Sequence, residues 1–343
     1  MDNGPQIGIR VPPCRPVPVL GDFAVAVEAA GFDTLYIPDS QTLWRDAYLA
    51  VYAAALRTSR LCISTAVSNV VTRHPSVIAG LARTIDEAAP GRFTLGLGVG
   101  HSSVQPIGLG PSTGAELRAG VDQIRRLIRG DEVEYGDAAA RLRDPRPDGV
   151  PIHVAATGPR NLRLAGAIAD GVILLSGVAT GPLNQAIAAV RAGAESVGRR
   201  LEELDITVSA HALVTHDVQR DARMIKPIVA AIAQRGGAAG LAAAGIAVRV
   251  PSQVPEVVPD LVHAEDWAHA VEVCSRWISD DDAVAFAQAF GLFGTPEQIV
   301  DRIRATEALG VTRIFLQHVG SWDLPEPLVE SIGTDVIPRL AGR

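Results

Sequence analysis

Short apolar runs alternate along this chain with longer stretches in which apolar positions return every three to four residues. The short runs, at 7–10, 34–37, 61–65, 93–97, 152–155, 171–175, 206–214 and 313–317, predict eight β-strands. The longer ones, at 20–30, 45–56, 75–88, 113–129, 159–169, 182–197 and 296–309, predict helices between them. Pro75, Pro159, Pro182 and Pro296 fall in the opening turns of their stretches, where a missing N–H is not needed.

The junctions repeat. Gly31-Phe32-Asp33-Thr34-Leu35-Tyr36-Ile37 has the same plan as Gly310-Val311-Thr312-Arg313-Ile314-Phe315-Leu316, a glycine C-cap that drops directly into a strand, and Ala169-Asp170-Gly171-Val172 is a looser third copy. Eight strands in βα alternation with this recurrence predict an α/β fold of the (β/α)8 TIM-barrel type, in one domain spanning 1–343. Two stretches interrupt the pattern. Residues 216–291, helical and Ala-rich, read as an insertion between the seventh and eighth units, a lid or a dimer surface, and 130–149 reads as a shorter polar loop or hairpin.

Composition removes several classes of function. With 48% hydrophobic residues the chain has ample core material, and a formal net charge of −7 with no basic stripe argues against nucleic acid as partner. Its three cysteines, Cys14, Cys62 and Cys274, form no CxxC, and no HExxH spacing occurs, so neither a disulfide framework nor a metal site is expected. No signal-type segment and no apolar run of about 20 residues is present, so a membrane partner is not expected and a cytoplasmic location is.

Candidate chemistry lies in two glycine-punctuated strand ends. Gly96-Leu97-Gly98-Val99-Gly100-His101 and Ala155-Ala156-Thr157-Gly158-Pro159 each close a βα step with small residues. Small residues admit backbone N–H groups to a ligand, and a following helix N-terminus favours an anion. Together the two loops predict a phosphate-bearing cofactor over the carboxyl ends of parallel strands.

Four stretches make the chain resemble the bacterial-luciferase-like superfamily, in particular its deazaflavin-dependent branch typified by methylene-tetrahydromethanopterin reductase. They are Ala66-Val67-Ser68-Asn69 through His74-Pro75; Ile85-Asp86-Glu87 through Gly91-Arg92-Phe93 to Gly100; Ala155 to Pro159 with Leu164-Ala165-Gly166 and Ala169-Asp170-Gly171; and Gly294-Thr295-Pro296-Glu297-Gln298. The resemblance implies a (β/α)8 barrel that uses either coenzyme F-420, an 8-hydroxy-5-deazaflavin that passes only hydride, or FMN. It also implies a non-prolyl cis peptide at Ala66–Val67, in a bulge that backs the flavin ring, with Ser68 and Asn69 following. Homodimers are usual in the family, and a homodimer is expected here.

Individual residues follow from these two sources. Asp39, Ser40 and Trp44 come after the second strand, where barrel enzymes keep their polar active-site groups. Asp39 and Ser40 are assigned to the cofactor, and Asp39 and Trp44 to the reaction as well. The bland alternative makes Asp39 a cap for the helix near Arg45. Many relatives carry an acidic residue and then His at this point, whereas this chain has Ser40, so a family mechanism resting on that His does not transfer. His101 is the acid–base candidate, an imidazole in the fourth βα loop, set against a surface or phosphate-contact reading. Gly98, Gly100, Ala156, Thr157, Gly158 and Pro159 are assigned to the cofactor. Arg73 and His74 either wall the cofactor ring or face solvent, and His153 reads as a barrel-interior histidine. The expected reaction is hydride transfer between the deazaflavin and a small organic substrate. The alternatives are an FMN-dependent monooxygenase and a non-catalytic flavin-binding barrel.

Overall fold

Every predicted strand forms, and together they close. In a computed structural model that describes residues 4–320 and 322–342, the strands are β1 (Gln6–Arg10), β2 (Thr34–Ile37), β3 (Cys62–Thr65), β4 (Phe93–Gly98), β5 (Ile152–Ala156), β6 (Gly171–Leu174), β7 (Asp205–Val214) and β8 (Arg313–Gln317). Each pairs in parallel with its sequence neighbours, and β8 returns to β1 with Gln6 opposite Arg313, so the sheet is a closed eight-stranded barrel. Parallel strands in such a barrel are covered on both faces and read as near-continuous apolar runs; β2 and β6 are buried at every position.

The helices α1 (Val17–Ala29), α2 (Ala47–Arg57), α3 (Pro75–Ala88), α4 (Gly114–Arg129), α5 (Gly158–Ile168), α6 (Thr180–Glu195) and α7 (Pro296–Glu307) surround the barrel. Starts move by a few residues from the sequence pattern. α1 begins three residues before 20 because Pro18 is tolerated in its opening turn, and α6 begins at Thr180, which makes Pro182 its third residue. Two further helical pieces after β8, Glu326–Ser331 and Ile337–Ala341, were not predicted; Leu328, Val329 and Ile332 pack into the barrel's core cluster, and prolines obscured the period.

Inside the barrel the Tyr36 and Phe315 rings meet at 4.2 Å beside Ile173. Gly8 leaves room for this layer, since a Cβ there would lie 2.4 Å from the Tyr36 ring. At the base, His153 is buried, with Nε2 3.4 Å from an Asp205 carboxylate oxygen, and Arg313 Nη2 donates to that carboxylate at 2.9 Å. Burial opposes the Asp205 charge, but His153 and Arg313 hold its carboxyl well below the usual range. The interior reading of His153 is therefore correct. On the outside, α5 and α6 cross at Gly166 and Gly193, where added Cβ atoms would lie 2.1 Å from Val190 O and 2.0 Å from Arg163 O.

Between β7 and β8 run helices Val218–Asp221, Lys226–Gln234, Ala238–Ala243, Trp267–Cys274 and Asp280–Ala289, which build a second apolar cluster that includes Val229, Leu241, Cys274 and Phe286. A short strand, Leu292–Gly294, then pairs with the far end of β7. Residues 133–140 form an antiparallel hairpin, Val133–Tyr135 with Ala138–Ala140, whose second strand is exposed while Val133 is buried in the core cluster. No helix among the described residues is long and apolar enough to cross a membrane.

Candidate active site

Polar side chains collect at the carboxyl ends of β2, β3 and β4. Asp39 is 4% exposed; it accepts a hydrogen bond from Ser68 Oγ at 2.7 Å and forms an ion pair with the Arg73 guanidinium. Arg73 also donates to Asp46 at 2.8 Å and lies 5.0 Å over the Tyr48 ring. Asp46, not Asp39, caps α2, by accepting from Tyr48 N and Leu49 N. Capping therefore does not explain Asp39. Burial pushes its carboxyl up from the ordinary value, against the downward pull of Arg73 and Ser68. Arg73 belongs to this buried wall, while His74 is exposed and starts α3 by accepting from Ser76 N.

The Ala66–Val67 peptide is cis, as the family resemblance implies. Beyond it, Ser68 and Asn69 form a two-residue strand against Leu97 and Gly98 of β4. The fourth βα loop is bound to this wall by several contacts. Ser40 Oγ and Ser102 Oγ stand 2.6 Å apart, Gln41 Nε2 donates to Ser103 O at 2.7 Å, and Asn69 Nδ2 donates to Ser103 Oγ at 2.9 Å. Asn69 Oδ1 in turn accepts from Val71 N and Thr72 N, which fixes the turn toward α3. His101 stands apart from this network; it is exposed, and among the described residues its side chain makes no hydrogen bond.

The two glycine loops differ in what they accommodate. A Cβ on Gly98 would lie 2.8 Å from Val67 Cγ2, so its smallness admits the protein's own bulge, and Gly100 is held at φ +86° with Val104 3.0 Å from its Cβ position. Gly158, at φ +73°, faces open space, with nothing within 4 Å of an added Cβ. Thr157 is the N-cap of α5 and its side chain makes no capping bond, while Pro159 lies in the first turn and Ala156 is buried beneath. The opening amides of α5 are thus free of the usual side-chain acceptor. An anionic group fits this cradle.

Trp44 is buried where the barrel meets the 216–291 segment. Its ring lies 5.3 Å from His263, edge-on at 75°, and 6.5 Å from Trp322, with the Arg10 guanidinium at 5.1 Å. Arg10, His211 and Gln317, at the carboxyl ends of β1, β7 and β8, join the same mouth, as does His318 next to Gln317; the sequence reading passed over all four. Gln317 Nε2 donates to Ser209 Oγ at 2.7 Å. The signal lay in the two-residue alternation: Arg10 shares the inward side of Gly8, and His211 that of Thr207, whose hydroxyl faces Tyr36. Among the described residues no group of His, Cys, Asp and Glu is arranged to hold a metal.

A closed parallel barrel with a bulged third strand and an uncapped helix start beside its mouth has the form of a flavin-type (β/α)8 barrel. The chain belongs to the luciferase-like monooxygenase family, a model of which matches residues 9–313. It is 31% identical to an F420-dependent glucose-6-phosphate dehydrogenase of Nakamurella multipartita, over 94% of this chain and 92% of that one. It is 27% identical to a 5,10-methylenetetrahydromethanopterin reductase of Methanolobus tindarius, over 96% and 99% of the two chains. The solved structure of the coenzyme F420 dependent tetrahydromethanopterin reductase from Methanopyrus kandleri superimposes with a TM-score of 0.79 at 23% identity, covering 98% and 99% of the two chains.

Since Asp39 is buried, its charge depends on Arg73. Arg73→Met should lower stability at pH 7 by about 3 kcal/mol, the typical cost of leaving one member of a buried pair uncompensated. The loss should shrink as pH falls toward 4, because an Asp whose folded-state pKa is raised opposes folding only above its unfolded pKa of roughly 3.9. Urea titrations of Arg73→Met and of Arg73→Met with Asp39→Asn test this. If Asp39→Asn recovers nothing at pH 7, the pair does not hold the charge.

Proposed function

We propose that this chain is an oxidoreductase that moves hydride between the deazaflavin coenzyme F-420 and a small organic substrate. The observation that carries this reading is the open, uncapped start of α5 at Thr157–Gly158, in a chain that aligns over 94% and 96% of its length with relatives named for F420 or for methylenetetrahydromethanopterin reduction. When bound, the deazaflavin supplies the hydride donor or acceptor itself. Ala156, Thr157, Gly158 and Pro159 hold its phosphate. Ala66 and Val67 back its ring, with Gly98 and Gly100 shaping the wall behind them, while Asp39, Ser40, Ser68 and Asn69 offer polar partners along its edge. Trp44 covers the substrate from the cap side and positions it. His101, at the rim, exchanges the proton that accompanies hydride transfer with a substrate heteroatom. The 216–291 segment caps the mouth and keeps water out, as an insertion between the seventh and eighth units of a single domain.

A purified-protein titration with the deazaflavin and with FMN, read by absorbance and fluorescence, tests the cofactor assignment without any substrate. The deazaflavin should bind at least tenfold more tightly. Gly158→Val should weaken that binding at least tenfold, since the added side chain enters the open cradle, and it should lower the melting temperature as well, because φ +73° strains a β-branched residue. Equal binding of both cofactors, or unchanged affinity in the variant, overturns the assignment.

General acid–base catalysis is worth on the order of a hundred- to ten-thousand-fold. His101→Ala should therefore lower turnover by about a hundredfold or more, with cofactor affinity kept. Normal turnover would move the proton transfer to solvent or to the substrate.

We also propose a homodimer. Leu49, Tyr52 and Leu56 repeat at helical spacing on the outer side of α2 and are 60%, 37% and 62% exposed, with Val19 and Val25 of α1 exposed nearby in the fold. An apolar stripe of this kind on adjacent helices suits a self-complementary pairing. Light scattering should give twice the 36.0 kDa chain mass, and Leu49→Glu with Leu56→Glu should halve it. A wild-type species at the mass of one chain would refute the pairing.

A further inference from the structure

The barrel mouth holds one charge that the protein leaves uncompensated. Arg10 ends β1 on the inward side and is 8% exposed. Among the described residues its guanidinium has neither a carboxylate partner nor a hydrogen-bond acceptor, and its packing contact is the Trp44 ring at 5.1 Å. Burial lowers its pKa only to about 10, so it remains a cation at neutral pH. Two imidazoles stand close enough to feel that charge. Burial and Arg10 depress His211 to about 4 and His318 to about 3, so both are neutral at pH 7. Nδ1 of His211 and both ring nitrogens of His318 are shielded from solvent and lack hydrogen-bond partners. Gln317, opposite His211 in the β7–β8 register, completes the group.

A buried cation without a counter-ion is costly, and buried polar atoms without partners add to the cost. Every member of this cluster lies at the mouth; Gln317 is engaged by Ser209, and the two imidazoles lean on the backbone of His318 and Asp323, while the Arg10 guanidinium has no acceptor of its own among the described residues. A guanidinium offers a planar fork of donors that matches a carboxylate or a phosphate, and each neutral imidazole adds one N–H. An incoming anion would satisfy the charge and the ring nitrogens together.

We propose that Arg10, flanked by His211, His318 and Gln317, seats an oxyanion of the substrate, a carboxylate or a phosphate monoester, beside Trp44. The seat rests on the hydride-transfer reading only in taking the mouth as the place where substrate binds, since none of its four residues is assigned to the cofactor.

The test uses the protein without added cofactor. Sodium acetate, inorganic phosphate and the neutral acetamide are titrated at constant ionic strength, followed by calorimetry and by tryptophan fluorescence. At least one anion should saturate a single site per chain, and acetamide should not; which anion saturates distinguishes a carboxylate seat from a phosphoryl one. Arg10→Met should weaken that binding at least tenfold, as expected for loss of charge-assisted hydrogen bonds. Its deazaflavin affinity should stay at the wild-type value, which shows that the barrel is intact. If Arg10→Met does not fold, Arg10→Lys decides in its place: weaker anion binding supports the fork, and unchanged binding overturns it. Absence of saturable binding, equal binding of acetamide, or unchanged affinity in Arg10→Met overturns the seat. Failure of wild-type protein to bind deazaflavin overturns the hydride-transfer reading instead and leaves the anion result standing.

Discussion

A carboxylate as buried as Asp39 must find its compensation within the protein, and the way it does so organises the mouth of the barrel. Arg73 supplies the charge and Ser68 a hydrogen bond. Arg73 comes from the turn into α3 and Ser68 from beyond the Ala66–Val67 bulge, so one ion pair fixes the end of β2 against two consecutive segments of the third unit. Through Asp46 the same guanidinium reaches the N-terminus of α2, and through Tyr48 its first turn. The serine contacts of the fourth loop attach to this wall in turn. A rigid polar rim results from satisfying one charge.

The barrel itself was legible because its signal is local. Each strand is a contiguous apolar run and each helix has its own period, so β1 to β8 could be read one at a time, and the recurrence at Gly31 and Gly310 tied first and last units together. The helix start at Gly158 was likewise carried by contiguous residues, whereas the cis bond at Ala66–Val67 was expected from the family resemblance alone. What closure brings together was not legible. Arg10 and His318 are more than three hundred residues apart in sequence and meet only because β8 returns to β1. Likewise, Ser102 and Ser103 were outranked by their neighbour His101, because side-chain chemistry is visible in a sequence and hydrogen-bond geometry is not. Gly98 was grouped with Gly158 on composition, and only the position of Val67 separates a glycine that admits protein from one that faces open space.

The segment between β7 and β8 adds a different kind of support. It has its own apolar cluster, so its helices do not depend on barrel packing for their burial. It is attached at several points: Leu292–Gly294 extends the β7 pairing, Val178 N and Ala179 N donate to Ala289 O, the His263 ring meets Trp44, and Trp322 Nε1 donates to His263 O. The strand that carries His211 therefore also pairs with the end of this segment, and Trp44 of the second βα loop meets the segment at His263 and β1 at Arg10.

The crossing of α5 and α6 bears on the mouth of the barrel. At Gly166 and Gly193 the two helix backbones come so near that not one further carbon fits on either, which leaves almost no play in how α5 is seated. The first turn of that helix is the cradle at Thr157–Gly158. Precision at the mouth is thus manufactured in the buried seam between two outer helices, where two hydrogen atoms act as the gauge. Mutational surveys that score such helix-packing glycines by their distance from the chemistry would file them as bystanders, although an error of an ångström at that crossing is transmitted along a stiff rod to the position of the opening amides of α5.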